Sequence, residues 1–261
     1  MMSMPLFDPT NDPGANFVEL VKRAGLSPVP TTWSDSLGVP HATTCVAVTF
    51  TGGVVVAGDR RATSGNWISH RDMEKVVQTD RHSAVAISGA AGPAMDMIKL
   101  FSLQLEHYEK MEGRPLSLEG KANQLSMMVR NNLPAAMQGL VVLPLFAGYD
   151  TDAGQGRIWA YDATGGRYEE REFVTIGSGG MHAGTVVKVG WKRDLSAQDA
   201  VTLACRSLWE AADADSATGG PDALRGVYPI VASITGDGWQ RVQDEELASI
   251  FAAIASEVQS R

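Results

Sequence analysis

The chain has 261 residues, and its hydrophobic content of 44% is enough for one large core or at most two smaller ones. A formal net charge of −8 argues against binding to nucleic acid or to an anionic membrane surface. Because two cysteines cannot form a disulfide framework and no apolar run approaches eighteen residues, we expect no membrane span and a location in the reducing cytoplasm.

The first 42 residues differ in composition from the rest and hold half of the chain's twelve prolines. Only residues 16–24 have the apolar spacing expected of a short helix. The stretch lacks the basic start and apolar run of a secretory signal. We interpret it either as a disordered tail or as a pro-segment that is removed on maturation.

From Thr43 onward the sequence has the alternating apolar runs and turn signals that are typical of a folded domain. Residues 44–50 alternate between apolar and polar positions, Gly52 and Gly53 form a turn signal, and a second apolar run follows, which predicts a hairpin. Ser117 has the character of a helix cap. Further strands are expected at 75–79, 84–88, 140–149, 157–161, 173–177, 228–235 and 239–242. Helices are expected at about 93–110, after Ser117, at 181–189 and at 196–212. The chain is expected to end in a short amphipathic tail.

The order of these elements is strands, two helices, strands, two helices, strands. Strands joined by tight turns favour antiparallel sheets, and helices in pairs favour layers that cover those sheets. The sequence therefore predicts an α+β fold with four layers, in which two antiparallel sheets lie inside and helices lie outside.

Several patterns that could carry chemistry are weak. The five histidines have no metal-ligand spacing. The GSGG stretch at 177–180 lacks the spacing of a dinucleotide fingerprint, and a Gly-x-Ser-x-Gly nucleophile elbow is absent. Cys45, within a strand, is more typical of a small buried hydrophobe than of a nucleophile. No metal and no cofactor are therefore expected.

A set of short motifs remains, and each has an ordinary explanation as a turn, a solvated face or a loop. Together, in this order and at these spacings, they resemble proteasome β subunits, particularly the actinobacterial type, from Thr43 to about Val242. The resemblance implies the four-layer αββα sandwich of N-terminal-nucleophile hydrolases, with 43–261 as the catalytic domain. The motifs are HATT (41–44), GDRRAT (58–63), RDMEK (71–75), SGAAGPA (88–94), GSGG (177–180) and DSATGGPD (215–222).

The resemblance implies that residues 1–42 are a leader which the subunit itself removes between Ala42 and Thr43. A threonine hydroxyl needs a base, and a free α-amino group, with a pKa near 8, can serve as one. A backbone amide nitrogen cannot. The leader is thus expected to mask the amine of Thr43 until the Thr43 hydroxyl attacks the Ala42 carbonyl and releases it.

The other catalytic positions follow from the same resemblance. Lys75 corresponds to the lysine that assists proton transfer at the nucleophile, and Asp59 to the aspartate that orients this lysine. Gly89 corresponds to the glycine whose backbone N–H forms the oxyanion hole. The supporting network around the amine and a catalytic water corresponds to Ser178, Asp215 and Thr218.

Substrate selection can be inferred in the same way. Thr63 corresponds to the residue whose backbone pairs with an extended substrate. An uncharged first specificity pocket favours apolar residues before the scissile bond, so we expect a chymotrypsin-like preference. The residues expected to line this pocket are Ala62, Met73, Val77, Ile87, Ala91 and Met95.

Three positions depart from the usual pattern of the family. Ala42 stands where glycine is common, and because alanine in a left-handed conformation costs about 1 kcal/mol, processing is expected to be slower but not abolished. Cys45 replaces an aliphatic residue, which is conservative packing. Gly180 replaces a serine, with a modest effect expected on the water network.

The family works as two seven-membered β rings between two seven-membered α rings, a 28-subunit α7β7β7α7 core. The resemblance implies α subunits, other β subunits and an ATP-dependent ring activator as partners, and protein substrates tagged by a ubiquitin-like modifier. The alternatives are an HslV-type threonine peptidase, a catalytically silent ring subunit and a pure binding module. Retention of Thr43, Asp59 and Lys75 argues against the last two.

Overall fold

In this computed structural model, residues 43–260 are described. The expected helix at 16–24, the rest of the proposed leader and Ala42 lie outside this range. Twelve strands and six helices occur within it. They are β1 Thr44–Phe50, β2 Gly53–Gly58, β3 Ala62–Ser64, β4 Trp67–His70, β5 Val76–Asp80, β6 Ser83–Gly89, α1 Ala91–Glu112, α2 Leu118–Asn131, α3 Leu133–Ala136, β7 Val142–Asp150, β8 Gln155–Tyr161, β9 Arg167–Glu170, β10 Phe173–Gly177, α4 Gly180–Gly190, α5 Ala197–Ala214, β11 Ile230–Thr235, β12 Gly238–Arg241 and α6 Asp244–Gln259.

The strands form two five-stranded antiparallel sheets and one small hairpin. The first sheet has the order β10-β1-β2-β11-β12, and the second has the order β5-β6-β7-β8-β9. Among the strands of residues 43–260, β3 and β4 pair only with each other. The prediction of antiparallel sheets is therefore confirmed.

Three apolar layers hold the sheets and helices together. One layer lies between the first sheet and α4, α5 and α6, and another lies between the second sheet and α1 and α2. A third layer fills the space between the two sheets. Strand β1 shows how the layers arise, because Val46 and Val48 face the helices while Cys45 and Ala47 face the opposite sheet. This is the predicted four-layer αββα sandwich.

The local sequence explains where the helices begin and end. Ser117 caps α2, since its Oγ accepts a hydrogen bond from the Gly120 N–H at 3.2 Å, as the sequence predicts. Gly113 ends α1 in the left-handed conformation, with φ of 69°. No helix within residues 43–260 combines the length and the apolar character that a bilayer crossing requires.

Strand β1 positions the predicted nucleophile. It lies between β10 and β2, with Thr44 opposite Gly177 and Cys45 opposite Gly58. Thr43 immediately precedes this central strand. Its backbone is therefore held at the end of a strand that has neighbours on both sides, rather than in a loop.

Candidate active site

Thr43 is buried, with 5% of its surface exposed, and its backbone neighbours are firmly held. Its carbonyl oxygen accepts a hydrogen bond from the Ser178 N–H at 2.9 Å. The next residue, Thr44, donates its N–H to Asp59 Oδ1 at 2.8 Å and accepts the Asp59 N–H at 3.1 Å. The main chain around Thr43 is thus fixed from the β10 side and from the β2 side.

Lys75 and Asp59 form a buried ion pair directly beside this segment. Lys75 Nζ lies 2.7 Å from Asp59 Oδ1, and the two side chains are 1% and 0% exposed. Lys75 Nζ also donates to the Arg61 carbonyl. A buried pair is tolerated only when its remaining hydrogen-bonding capacity is satisfied, and here further donors meet that requirement.

The Asp59 carboxylate accepts four hydrogen bonds, two at each oxygen. Oδ1 accepts from the Thr44 N–H and from Lys75, while Oδ2 accepts from the Arg61 N–H at 2.9 Å and the Gly219 N–H at 2.8 Å. Such charge-assisted bonds are roughly twice as strong as neutral ones. Asp59 therefore forms hydrogen bonds with β1, with Lys75 and with the loop that follows α5.

Ser178, Asp215 and Thr218 form a second hydrogen-bonded group. Ser178 Oγ and Thr218 Oγ1 both donate to Asp215 Oδ2, each at 2.6 Å. Burial raises the pKa of Asp215, but the hydrogen bonds from Ser178, Thr218 and the Ala217 N–H outweigh it and hold that pKa below its usual value. The structure brings together all three residues that the sequence analysis assigned to one network.

Thr44 joins that network, although sequence reasoning did not select it. Its Oγ1 lies 2.6 Å from Thr218 Oγ1 and accepts the Gly179 N–H at 3.0 Å. In the sequence, a β-branched threonine at the start of a strand simply indicates strand propensity. Arg61 and Gly219 were also missed, because they serve Asp59 through backbone groups that leave no side-chain signal.

The glycines of the GSGG stretch are required by close approaches to β1. Gly177 has φ of 94°, and a Cβ there would lie 1.7 Å from the Thr43 carbonyl oxygen. A Cβ on Gly179 would lie 2.5 Å from both Thr44 Oγ1 and Thr218 Oγ1. The turn can reach Thr43 and Thr44 only because it carries no side chains at these two positions.

Alanine at position 179 is expected to lower the free energy of unfolding by about 1–3 kcal/mol, since overpacking displaces neighbouring groups. Gly180→Ala is the matched control, because a Cβ there meets nothing closer than the Thr175 carbonyl carbon at 3.6 Å and alanine favours helix α4. Denaturant titration of both variants against the unchanged chain makes the comparison. Equal stability of the two variants would contradict the close approach.

Gly89, the predicted oxyanion-hole residue, ends β6 with φ of 99°. A Cβ there would lie 2.2 Å from the Val141 carbonyl oxygen, so the position excludes a side chain. Two residues earlier, Ile87 donates its N–H to the Lys75 carbonyl at 2.9 Å and accepts a bond from Cys45 Sγ at 3.7 Å. These contacts attach the last part of β6 to Lys75 and to β1.

Cys45 is itself fully buried between the sheets. Burial raises the pKa of its thiol to about 12, against the opposing effect of the nearby Lys75 cation. The thiol stays protonated at neutral pH, and only thiolates are strong nucleophiles. Cys45 is thus a small buried hydrophobe, as its place in the strand indicates.

The residues predicted to line the first specificity pocket lie on neighbouring elements. Met73, Val77 and Met95 are half-buried and pack against the same apolar layer that contains Ile87. Ala62 and Thr63 lie on β3, and Ala91 is the first residue of α1. A separate apolar groove, of about 720 Å³, lies between α1 and α2, and none of the predicted site residues lines it.

The site contains cationic, anionic and hydroxyl groups rather than a ligand set for a metal. Within residues 43–260, no three His, Cys, Asp or Glu side chains cluster as metal ligands would. What the arrangement can supply is a hydroxyl at the start of β1, a buried cation held by Asp59, which also binds the adjoining Thr44 N–H, and a network of oriented hydroxyls. This chemistry suits nucleophilic attack on a carbonyl group.

The αββα sandwich, with Thr43 at the start of a central strand and a buried Lys75–Asp59 pair beside it, is the architecture of N-terminal-nucleophile hydrolases. A family model described as "Proteasome subunit" matches residues 39–224. The whole chain is 55% identical to a protein named proteasome subunit beta from Acidimicrobium ferrooxidans, covering 96% of that protein. Over 215 residues, 82% of this chain and 76% of the relative, it is also 55% identical to proteasome subunit beta from Streptomyces griseus. The chain therefore belongs to the proteasome subunit family, and the resemblance noted in its sequence is confirmed.

Proposed function

We propose that this chain is the threonine endopeptidase subunit of a bacterial 20S proteasome core, which cleaves its own Ala42–Thr43 bond and then degrades unfolded proteins to peptides. One observation carries the proposal: Thr43 immediately precedes a central strand beside a Lys75–Asp59 pair whose Nζ–Oδ1 distance is 2.7 Å. Residues 1–42 would then be the leader, and residues 43–261 the mature domain.

In the mature subunit, the α-amino group of Thr43 takes the proton from the Thr43 hydroxyl as Oγ1 attacks the substrate carbonyl. Lys75 supplies positive charge beside the developing alkoxide, and Asp59 keeps that charge in place. The Gly89 N–H stabilises the oxyanion. The leaving amine takes up the proton, and an ester links Thr43 Oγ1 to the acyl part of the substrate.

Water then completes the reaction. The water oxygen attacks the ester carbonyl while the Thr43 amine takes a proton from the water. The Thr43 hydroxyl is restored as the acid product leaves. Ser178, Asp215 and Thr218 would orient the amine and the water. Because these three act by orientation, their removal should cost less activity than removal of Thr43 or Lys75.

The proposed assembly is the family's 28-subunit core of α and β rings. Helical surfaces support it, since several large apolar side chains on α1 and α4 are exposed, among them Leu103 at 61%, Met181 at 80% and Val189 at 83%. Contacts between subunits would remove such apolar surface from water. An ATP-dependent ring activator and substrates tagged by a ubiquitin-like modifier are the further partners that we propose.

A catalytically silent ring subunit is the second candidate. Against it stands the complete set of Thr43, Asp59 and Lys75, assembled as a saturated buried network rather than as scattered surface residues. An HslV-type peptidase is not supported, since the two relatives described above are both named proteasome subunits.

The proposal is tested by co-expressing the chain with its α partner and measuring the intact mass of the β subunit. Loss of residues 1–42, together with covalent labelling of Thr43 by a peptide boronate or epoxyketone, is the expected result. A full-length chain within an assembled particle would mean that Thr43 has no free amine, and the catalytic proposal would be withdrawn.

Cleavage after Leu, Phe and Tyr is expected to exceed cleavage after Arg by at least about 100-fold in kcat/KM. The reason is that burying an unpaired charge among Met73, Val77 and Met95 costs several kcal/mol. A panel of fluorogenic peptides that differ only in the residue before the scissile bond measures the ratio. Preferential cleavage after Arg would overturn the assignment of the pocket.

A further inference from the structure

The hydrogen bonds around Thr44 run in only one direction. The Asp215 carboxylate is an acceptor, so the single O–H of Thr218 must donate to Asp215 Oδ2, at 2.6 Å. Thr218 Oγ1 then has only acceptor capacity for Thr44, 2.6 Å away, which makes the Thr44 O–H the donor. Thr44 Oγ1 in turn accepts the Gly179 N–H at 3.0 Å. The order is therefore Gly179 N–H to Thr44, Thr44 to Thr218, and Thr218 to Asp215.

This chain of hydrogen bonds connects the two segments that hold Thr43. Gly179 belongs to the turn whose Ser178 N–H binds the Thr43 carbonyl at 2.9 Å. Thr218 adjoins Gly219, whose N–H binds Asp59 Oδ2 at 2.8 Å. Thr44 is fully buried between them, and it is the residue covalently attached to Thr43.

We propose that the Thr44 hydroxyl is a positioning group for the nucleophile: it fixes the 177–179 turn and the 215–219 loop at one distance from Thr43. The inference rests on the proposed function, because it assumes that Thr43 is the nucleophile. Thr44 touches neither substrate nor reacting atoms in this role. It acts through Ser178 and Asp59, the two residues that bind the peptide group between Thr43 and Thr44.

Thr44→Val tests the proposal, because valine keeps the shape and removes the hydroxyl. It leaves the Gly179 N–H without its acceptor and Thr218 without its donor, so the turn and the loop are free to shift relative to Thr43. In the assembled core we expect kcat on a fluorogenic peptide to fall at least about 30-fold, within the range that small misplacements produce. KM should stay within about 3-fold, since no pocket residue is altered. Thr44→Ser keeps the hydroxyl and should restore kcat to within about 3-fold of the unchanged enzyme.

Thr79→Val is the matched control for the removal of a buried threonine hydroxyl. Thr79 is 7% exposed on β5, and its Oγ1 lies 2.9 Å from Ser83 Oγ across the β5–β6 hairpin. Its loss should lower stability to a similar degree and leave kcat unchanged. If Thr44→Val does not assemble, Thr44→Cys is measured in its place, because its thiol is only a weak donor. The expected result is the same: a lower kcat with KM nearly unchanged.

The outcomes separate this inference from the proposed function. The positioning role is wrong if boronate labels Thr43 in the unchanged core and Thr44→Val keeps full kcat. It is also wrong if kcat falls as far in Thr44→Ser as in Thr44→Val. An equal loss of kcat in Thr79→Val would also overturn it. If the unchanged core is not labelled at Thr43, the proposed function itself fails. A Thr44→Val subunit that assembles with its leader retained, and that Thr44→Ser restores to full maturation, supports the role, because self-cleavage uses the same hydroxyl of Thr43.

Discussion

Replacing Thr43 by alanine is expected to leave an assembled particle that retains residues 1–42 and has no peptidase activity. Removal of a nucleophile costs on the order of 10⁴–10⁶-fold in kcat, and here the same hydroxyl is proposed to release the leader. The backbone contact that holds this residue, between its carbonyl and the Ser178 N–H, does not involve the side chain. The fold should therefore survive the substitution.

Intact mass and a fluorogenic peptide assay measure the two effects of Thr43→Ala together. Thr43→Ser is the matched variant, since it keeps a hydroxyl in the same place and should retain both cleavage of the leader and measurable hydrolysis. A Thr43→Ala subunit that still loses its leader would show that another group cleaves the Ala42–Thr43 bond. Retained peptidase activity would remove Thr43 from its proposed role.

The second large effect is expected from Lys75→Met. The substitution leaves the Asp59 charge buried without its cation, and breaking a buried pair in this way costs about 3–5 kcal/mol of stability. It also removes the positive charge that is proposed to assist the Thr43 hydroxyl. We expect kcat to fall by at least about 10³-fold, because electrostatic stabilisation of the developing charge is among the largest single contributions to catalysis.

Lys121→Met separates these two effects. Lys121 lies on α2 with a side chain 6% exposed, and its Nζ is 2.7 Å from Asp80 Oδ2, so it forms a similar pair away from the site. Both variants should lose stability in denaturant titration, but only Lys75→Met should lose kcat and the labelling of Thr43 by a boronate. Equal losses of kcat in the two variants would mean that Lys75 acts through stability alone.

Much of the fold could be predicted because the apolar pattern changes with each type of element. Strand β10 has the predicted bounds, and α1 and α2 lie where the spacing of their buried residues indicates. The β3–β4 hairpin was not predicted, because all four residues of β4 are exposed and no alternation marks it. Strand β9 is a short edge strand with three exposed residues, and it was missed for the same reason. The expected amphipathic tail is a full helix, α6, which adds a third helix to its layer.

The proposed catalytic residues were predicted from the resemblance of short motifs rather than from any local pattern. Asp59 and Lys75 are both charged, and their burial at 0% and 1% is not visible in a sequence that surrounds them with arginines and turn residues. Thr44 was passed over because its role depends on Thr218 and Gly179, which are distant in the chain. Sequence patterns report neighbours along the chain, whereas this site is made of contacts between sheets and loops.

The 174 residues that separate Thr44 from Thr218 also determine when the proposed active site can first be complete during synthesis. A ribosome adding about 5–20 residues per second needs roughly 10–35 s to extend the chain from one to the other. Until then the 215–219 loop is incomplete, so Thr44 lacks Thr218 as its hydrogen-bond partner, although the 177–179 turn has already been synthesised. If Thr43 is the nucleophile, as proposed, the growing polypeptide has no complete active site for most of its translation.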